Sequence, residues 1–194
     1  MSLLRAFIAL EIPATIQAAI QQQTADLRRA ANSSLVRWVP VGNLHLTLKF
    51  LGDISSSNLQ FVTQMLTREA GQHPGFNLQV GGLGSFPNPR RARVIWIGVH
   101  APTGLETLQH GIESAAARLG YEADERPFSP HLTIGRVKQN ISPADQQRIR
   151  AALEAAHVGQ LGQAEVTAVH LMKSDLQPTG SVYTRLFSAP LLTQ

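Results

Sequence analysis

The tetrapeptide His-apolar-Thr-apolar occurs twice in this chain and constrains its fold more than any other feature. It stands at 45–48 as His-Leu-Thr-Leu and again, 86 residues later, at 131–134 as His-Leu-Thr-Ile. From the 7 histidines, the 12 threonines and the 43% hydrophobic content, only roughly 0.1 occurrence is expected by chance. Side chains of a strand alternate between its faces, so each motif places His and Thr on one face and apolar residues on the other. The repeat predicts two similar halves, each with a half-buried strand of this kind.

The apolar pattern along the chain predicts an α+β fold. Helical spacing covers the segments 13–31, 58–70, 103–119 and one that begins at 142–143. Strand-like segments bounded by Gly, Pro, Asn and Ser clusters lie at 5–10, 36–39, 44–51, 76–82, 93–99, 131–137, 165–174 and 182–187. Irregular alternation with short loops favours antiparallel pairing over a doubly wound sheet. We expect residues 1–194 to form one bilobal domain of two duplicated, pseudo-symmetric lobes, each an antiparallel sheet flanked by helices, with a cleft between them.

Composition narrows the class of protein. The chain has no cysteine, which excludes a disulfide framework, a thiolate zinc site, an iron–sulfur cluster and a cysteine nucleophile. The net charge of +4 is too low for a histone-like protein that holds nucleic acid by its overall charge. It favours a phosphate-bearing partner. No apolar run approaches the ~20 residues that cross a bilayer. We therefore expect no membrane span and a cytoplasmic location.

The paired histidines are the candidate chemistry. A single His-x-Thr more often lies on the solvent-exposed face of a half-buried strand and has no catalytic role. A matched pair across a cleft is better explained by catalysis. Imidazole exchanges protons near neutral pH, so two of them supply one base and one acid. A hydroxyl two residues away adds a hydrogen-bond donor for developing charge. His45, Thr47, His131 and Thr133 are the predicted site.

These residues and their flanks resemble the 2H phosphoesterase superfamily, and most closely the RNA 2′,3′-cyclic phosphodiesterases, also called 2′-5′ RNA ligases. The resemblance covers almost the whole chain: RAFIALEIP at 5–13, VRWVPVGNLHLTLKFLGD at 36–53, GSFPNPRRARVIWIGV at 84–99, RPFSPHLTIGR at 126–136 and VHLMKSDLQPTGSVYTRL at 169–186. It implies hydrolysis of RNA 2′,3′-cyclic phosphate ends to 2′-phosphate ends without metal or other cofactor. The implied partner is RNA or a nucleotide with that end, and a monomer is expected.

The resemblance also implies residue roles. His45 and His131 are the catalytic pair. Thr47 and Thr133 hold the nonbridging phosphate oxygens, and Arg136 binds the phosphate. An ideal strand would place residue 136 on the face opposite His131, so a β-bulge at Gly135 is needed to re-aim it.

Most other residues near the motifs have two possible interpretations. Lys49 has the parity of His45 and is either a phosphate-attracting group or a solvated strand lysine, while Phe50 is expected in the core. Arg5, Phe7 and Ser174 either line the cleft or simply pack. Phe86 and Phe128 are candidates for stacking on a base, and Trp96 is expected in the core. The basic loop side chains are either RNA contacts or merely solvated: Arg90, Arg91 and Arg93.

Other classes of protein fit the residues less well. The remaining histidines lack the spacing of a metal site, the His-x-His-x-His pattern of histidine-triad hydrolases is absent, and no phosphate-binding G-x-x-x-x-G-K-[ST] loop is present. A non-catalytic RNA-binding module would need basic and aromatic groups but not two facing acid/base groups. Within the enzyme class, the runner-up is reversible joining or cleavage of 2′-5′ linkages, which differs only in the nucleophile.

Overall fold

The computed structural model describes residues 3–32, 34–100, 102–177 and 180–193, and it has the predicted α+β architecture. The helices are α1 (Ala14–Gln23), α2 (Ala25–Ala30), α3 (Leu59–Ala70), α4 (Thr103–Arg118) and α5 (Pro143–Ala155). The strands are β1 (Leu3–Glu11), β2 (Val36–Trp38), β3 (His45–Ser55), β4 (Phe76–Phe86), β5 (Val94–His100), β6 (His131–Val137), β7 (Gln160–Val166), β8 (Ala168–Gln177) and β9 (Gly180–Pro190).

The strands form one antiparallel sheet whose two halves have corresponding strand orders. Its order is β7-β4-β5-β6-β3-β1-β8-β9, and β2 pairs with β6 outside this path. One half therefore runs β3-β1-β8-β9 outward from the centre, and the other runs β6-β5-β4-β7. A single residue pair, Leu46 with Leu132, joins β3 to β6. The two expected sheets are thus halves of one sheet that meet at a narrow seam.

The helices cross between the halves. In sequence α1 lies between β1 and β3, yet it packs against β7 of the other half. Likewise α4 lies between β5 and β6 but packs against β3 and against α3. α1 and α4 therefore each cover the half of the sheet that their own connection does not belong to, whereas α3, which follows β3, packs on β8 and β9 of the same half.

The core lies between the sheet and these helices. The apolar residues of the two motifs enter it, since Leu46, Leu132 and Ile134 are at most 1% exposed. Leu105 and Leu108 of α4 are equally buried among them. The opposite face of the sheet is left to the histidines and threonines, and we call it the site face.

Two elements differ from the sequence prediction. The helix expected over 13–31 is two helices that meet at Thr24, whose φ of −98° and ψ of 4° depart from helical values and whose hydroxyl donates to the Ile20 carbonyl at 2.8 Å. The strand predicted at 165–174 is the end of β7 joined to β8, and the first five residues of β7 are missed, because most of its side chains are exposed and its polar sequence shows little alternation. Among the described residues, no helix is long and apolar enough to span a membrane.

Candidate active site

The seam of the sheet brings the two motifs together. Because β3 and β6 pair antiparallel at Leu46 and Leu132, the register sets His45 beside Thr133 and Thr47 beside His131. Their four side chains are half-buried and lie on the site face, since the intervening leucines point into the core. The structure therefore places all four predicted residues at one location on adjacent strands.

The histidine rings are held in the same way. The Nδ1 atom of His45 lies 2.7 Å from the Asn43 carbonyl oxygen, and Nδ1 of His131 lies 2.6 Å from the Ser129 carbonyl oxygen. A carbonyl only accepts hydrogen bonds, so Nδ1 must carry the proton and donate it in both rings. The Nε2 atom of each neutral imidazole is then the basic nitrogen available to a substrate.

Aromatic side chains flank each histidine ring. Phe7 and Tyr183 lie 4.8 Å and 5.1 Å from the His45 ring, centroid to centroid. Phe86 lies edge-on to the His131 ring at 5.0 Å. These contacts, with the carbonyl bonds, fix both rings in place. Phe7 and Phe86 therefore line the site.

Each motif is followed by a β-bulge. In β3, Thr47 pairs with Ala9 and Lys49 with Ile8, so the residue between them, Leu48, is extra. In β6, Thr133 pairs with Trp96 and Gly135 with Ile95, so Ile134 is extra. A bulge reverses the simple strand parity of the side chains that follow it, up to the next bulge, which in β3 comes at Leu51.

The bulge in β6 places Arg136 on the exposed side of its strand, on the site face with His131. The sequence prediction set this bulge at Gly135, one residue beyond the extra residue. Gly135 itself faces the core side, where a Cβ atom would lie 2.8 Å from the Trp38 ring. Glycine is therefore needed there for close packing.

The surroundings of His45 disfavour its charged form. Burial lowers the pKa of His45 below its ordinary value of 6.5, the bond to Asn43 opposes this, and the positive charge of Arg136 lowers it further. The charge of Arg136, on the neighbouring strand, thus also disfavours the protonated form of His45. At neutral pH, His45 is therefore the uncharged imidazole in the free protein.

Lys49 does not belong to the site, so both sequence readings of it are wrong. The bulge at Leu48 turns it into the core, where it is 1% exposed. Its Nζ atom donates to Glu113 Oε1 and to the Glu122 carbonyl, each at 2.6 Å, and lies 3.4 Å from Asp124 Oδ2. The same bulge exposes Phe50, which is 56% exposed on the site face rather than in the core. Lys49 fastens the loop that leads into β6.

The remaining candidates divide between the site and its surroundings. Arg5 and Ser174 lie on the site face, opposite Asp53 and Tyr183 respectively. Trp96 pairs with Thr133 on the same face and lies 6.3 Å from the His131 ring, so its prediction as a core residue is wrong. Phe128 packs partly buried against the core. The loop arginines are exposed: Arg90, Arg91 and Arg93.

Sequence reasoning missed three site-face residues. Tyr183 contacts His45 from β9, Glu11 pairs directly with His45 across β1 and β3, and Arg185 donates to Glu11 at 3.2 Å. Of these three, only Glu11 could have been found from the sequence, because the alternation of side chains along β1 places it on the same face as Phe7. In the part of the chain that the structure describes, no three His, Cys, Asp or Glu side chains converge as a metal site.

Two motifs of His-x-Thr on adjacent strands of an antiparallel sheet define the class of two-histidine phosphoesterases. Comparison with known families agrees: the family model for the 2′-5′ RNA ligase superfamily matches residues 12–178. The chain belongs to that superfamily.

Its relatives share nearly the whole length. A protein of Methanothermobacter thermautotrophicus is 31% identical, over 93% of this chain and 95% of its own, and one of Archaeoglobus fulgidus is 32% identical, over 94% and 98%. Both are named RNA 2′,3′-cyclic phosphodiesterase. Among solved structures, Escherichia coli LigT complexed with 3′-AMP is 29% identical with a TM-score of 0.77, covering 98% of this chain and 99% of that one. The protein TT0787 of Thermus thermophilus is 27% identical with a TM-score of 0.80, over 96% and 97%.

Proposed function

We propose that this protein hydrolyses RNA 2′,3′-cyclic phosphate ends to 2′-phosphate ends by two-histidine acid/base catalysis. The observation that carries the proposal is the matched pair of imidazoles at the seam. Each presents a free Nε2 because its Nδ1 donates to a backbone carbonyl. The names of the relatives supply the substrate, since they are RNA 2′,3′-cyclic phosphodiesterases.

In this mechanism His131 acts as the base and His45 as the acid. Nε2 of His131 takes a proton from water as the water oxygen bonds to phosphorus. The bond from phosphorus to the ribose 3′ oxygen breaks, and that oxygen receives the proton from Nε2 of His45, which leaves a 2′-phosphate. The assignment of the two roles follows the family resemblance.

The hydroxyls of Thr47 and Thr133 and the guanidinium of Arg136 donate to the nonbridging phosphate oxygens. The positive charge of the guanidinium and the hydrogen bonds from all three groups stabilise the negative charge that builds up on these oxygens in the transition state. The bound phosphate also offsets the Arg136 charge that lowers the pKa of His45, so substrate favours the protonated form that an acid needs.

The test is hydrolysis of an RNA with a 2′,3′-cyclic end, with the product identified by phosphorus NMR against authentic 2′- and 3′-phosphates. The expected product is the 2′-phosphate. His45→Ala and His131→Ala should each lose about 10²–10⁴-fold in kcat. His110→Ala, which removes an exposed histidine of α4, is the matched control. A 3′-phosphate would contradict the assigned leaving group, and unchanged RNA that binds tightly would indicate a non-catalytic module.

A second candidate activity is reversible joining of 2′-5′ linkages. It is favoured by the description of the matching family as 2′-5′ RNA ligases. A ribose 5′-hydroxyl in place of water would attack the same phosphorus, expel the same 3′ oxygen and leave a 2′-5′ phosphodiester. Incubation with a second RNA that ends in a 5′-hydroxyl, followed by a search for a longer product whose new linkage alone survives digestion by a 3′-5′-specific nuclease, distinguishes joining from hydrolysis.

The proposal includes a cytoplasmic monomer built from two duplicated lobes. The mirrored strand order supports the duplication, and the cysteine-free sequence fits a reducing compartment. Light scattering on the purified chain and cell fractionation test the oligomeric state and the location.

A further inference from the structure

A cavity of about 370 Å³ opens on the site face beside His45. This volume lies at the lower end of the ~300–1,000 Å³ range of small-molecule sites. It is lined by two kinds of side chain from β1, β8, β9 and the segments next to them: Glu11, Ile12, Asn43, Met172, Tyr183 and Arg185. The proposed chemistry uses His45 at the mouth of this cavity but none of its other walls.

The walls have the composition of a base-binding pocket. Ile12, Met172 and Tyr183 supply apolar and aromatic surface against which a flat ring can pack. Glu11 and Arg185 supply a carboxylate and a guanidinium side by side, joined at 3.2 Å through one nitrogen and one oxygen. Both side chains are about half exposed, at 50% and 52%, so they remain open to a ligand.

The polar pair is held in register by the sheet. Glu11 is the direct cross-strand partner of His45, and Arg185 pairs with Met172. Beneath them lies His170, which is 7% exposed, with Nδ1 at 3.0 Å from Ser188 Oγ and Nε2 at 3.9 Å from Glu11 Oε2. His170 therefore lies next to the Glu11 carboxylate without a hydrogen bond to it. The strand register and the ion pair between Glu11 and Arg185 thus place one acceptor group and one donor group side by side.

These groups match one nucleobase better than the others. Arginine has only donors and a carboxylate only acceptors. Guanine presents two adjacent acceptors, N7 and O6, followed by two adjacent donors, N1–H and N2–H₂. Adenine and uracil offer a single donor group between acceptors, and cytosine has one donor group beside two acceptors. Only guanine gives both protein groups two partners each.

We propose that this pocket binds the base of the terminal nucleotide and prefers guanine, with Arg185 donating to N7 and O6 and Glu11 accepting from N1–H and N2–H₂. The inference rests on the proposed function, because it places the cyclic phosphate at the adjoining histidines. It adds a base preference that the two motifs themselves do not encode.

The test measures kcat/KM for the four nucleoside 2′,3′-cyclic monophosphates. The guanosine substrate should exceed the uridine substrate by about 10-fold or more, as expected for a good bidentate base contact. Arg185→Met and Glu11→Gln should each bring this ratio close to one, since glutamine turns a donor toward the donors of guanine. Arg118→Met and Glu106→Gln, at exposed positions of α4, are matched controls that should keep the wild-type ratio.

Calorimetric binding of the guanosine and uridine 2′-monophosphates separates this proposal from the proposed function. Equal hydrolysis of all four substrates overturns the pocket and leaves the function intact. Absent hydrolysis with tighter binding of the guanosine nucleotide supports the pocket and contradicts the function. A loss in Arg185→Met that is equal for all four substrates overturns the pocket, because the side chain would then contact phosphate or ribose.

Discussion

Phe50 occupies on β3 the position that Arg136 occupies on β6. Each is the fifth residue after its motif histidine, each follows a bulge, and each lies exposed on the site face. The repeat is therefore symmetric in backbone and asymmetric in charge at this position. An anion at the seam has a cation on the β6 side and, across from it, the phenylalanine ring that neighbours Phe7 at 6.0 Å.

Replacement of that cation gives the first prediction. Arg136→Met should lower kcat/KM by about 10²–10³-fold, because one preorganised donor to the transition-state charge is lost. Arg136→Lys keeps the charge but not the planar fork, so it should recover only part of the rate. Steady-state kinetics on a cyclic-phosphate RNA measures both, with Arg118→Met as control. A wild-type rate in Arg136→Met would remove the arginine from the phosphate site.

The sequence predicts the chemistry of the seam better than its geometry. Strand alternation suffices for the four motif side chains, because nothing interrupts the ladder between each histidine and its threonine. It fails from the fourth residue after each histidine, Lys49 and Gly135, onward. The bulges at Leu48 and Ile134 depend on the register of β1 and β5; the second has a nearby sequence signal in Gly135, which misplaces it by one residue, and the first has none.

Longer-range partners explain the other errors. Lys49 is buried because Glu113, 64 residues away, and the loop before β6 supply its partners. Trp96 reaches the site face because Gly84 on β4 leaves room for it. Neither fact can be read from a strand segment alone, since each depends on which elements the fold brings together.

His45 and His170 predict how stability depends on pH. Burial lowers the pKa of His45 and of His170 in the folded protein, while both regain their ordinary value near 6.5 on unfolding. The unfolded chain therefore binds more protons as the pH falls, and the stability present above that value is lost. Urea denaturation should give a lower free energy of unfolding at pH 5.5 than at pH 7.5.

A variant identifies the histidines as the cause. In His45→Gln with His170→Gln, the difference between the two pH values should shrink, because two of the groups that gain protons on unfolding are gone. An unchanged difference would assign the pH dependence to other residues.

Activity should not require a divalent cation. Thr47, Thr133 and Arg136 can supply the charge stabilisation that a metal would otherwise give. Hydrolysis should therefore survive exhaustive treatment with a chelator, followed by assay in metal-depleted buffer. Loss of activity on chelation and its return with one divalent cation would contradict the mechanism.

Gly84 is predicted to control the position of Trp96. A Cβ atom at Gly84 would lie 2.2 Å from two atoms of the indole ring, so Gly84→Ala must displace it. We expect a loss of about 1–3 kcal/mol in the free energy of unfolding from overpacking. We also expect slower hydrolysis, because Trp96 packs against Phe86, which flanks His131.

The control for this displacement is Gly159→Ala, where a Cβ atom meets nothing within 4 Å. It should leave both stability and kcat/KM near the wild-type values. Adding Trp96→Leu to Gly84→Ala makes room for the new methyl group and should recover stability but not the packing around His131. Full stability in Gly84→Ala alone would show that the indole ring moves without cost.

The buried cation on β3 gives the last prediction. Lys49→Met removes the partner of Glu113 and leaves its carboxylate, only 18% exposed, without its cation. Breaking a buried ion pair in this way costs about 3–5 kcal/mol of stability. Lys49→Met with Glu113→Leu removes both charges and should recover much of that loss, since an apolar replacement avoids the unpaired buried charge.

The double mutant still lacks the bonds that Lys49 makes to the Glu122 carbonyl and that Glu113 accepts from the Asp124 backbone, which hold the loop leading into β6. Urea denaturation of both variants, with kcat/KM measured in parallel, should therefore show stability recovering more than activity. Equal recovery of the two would mean that the loop does not need this anchor to position His131.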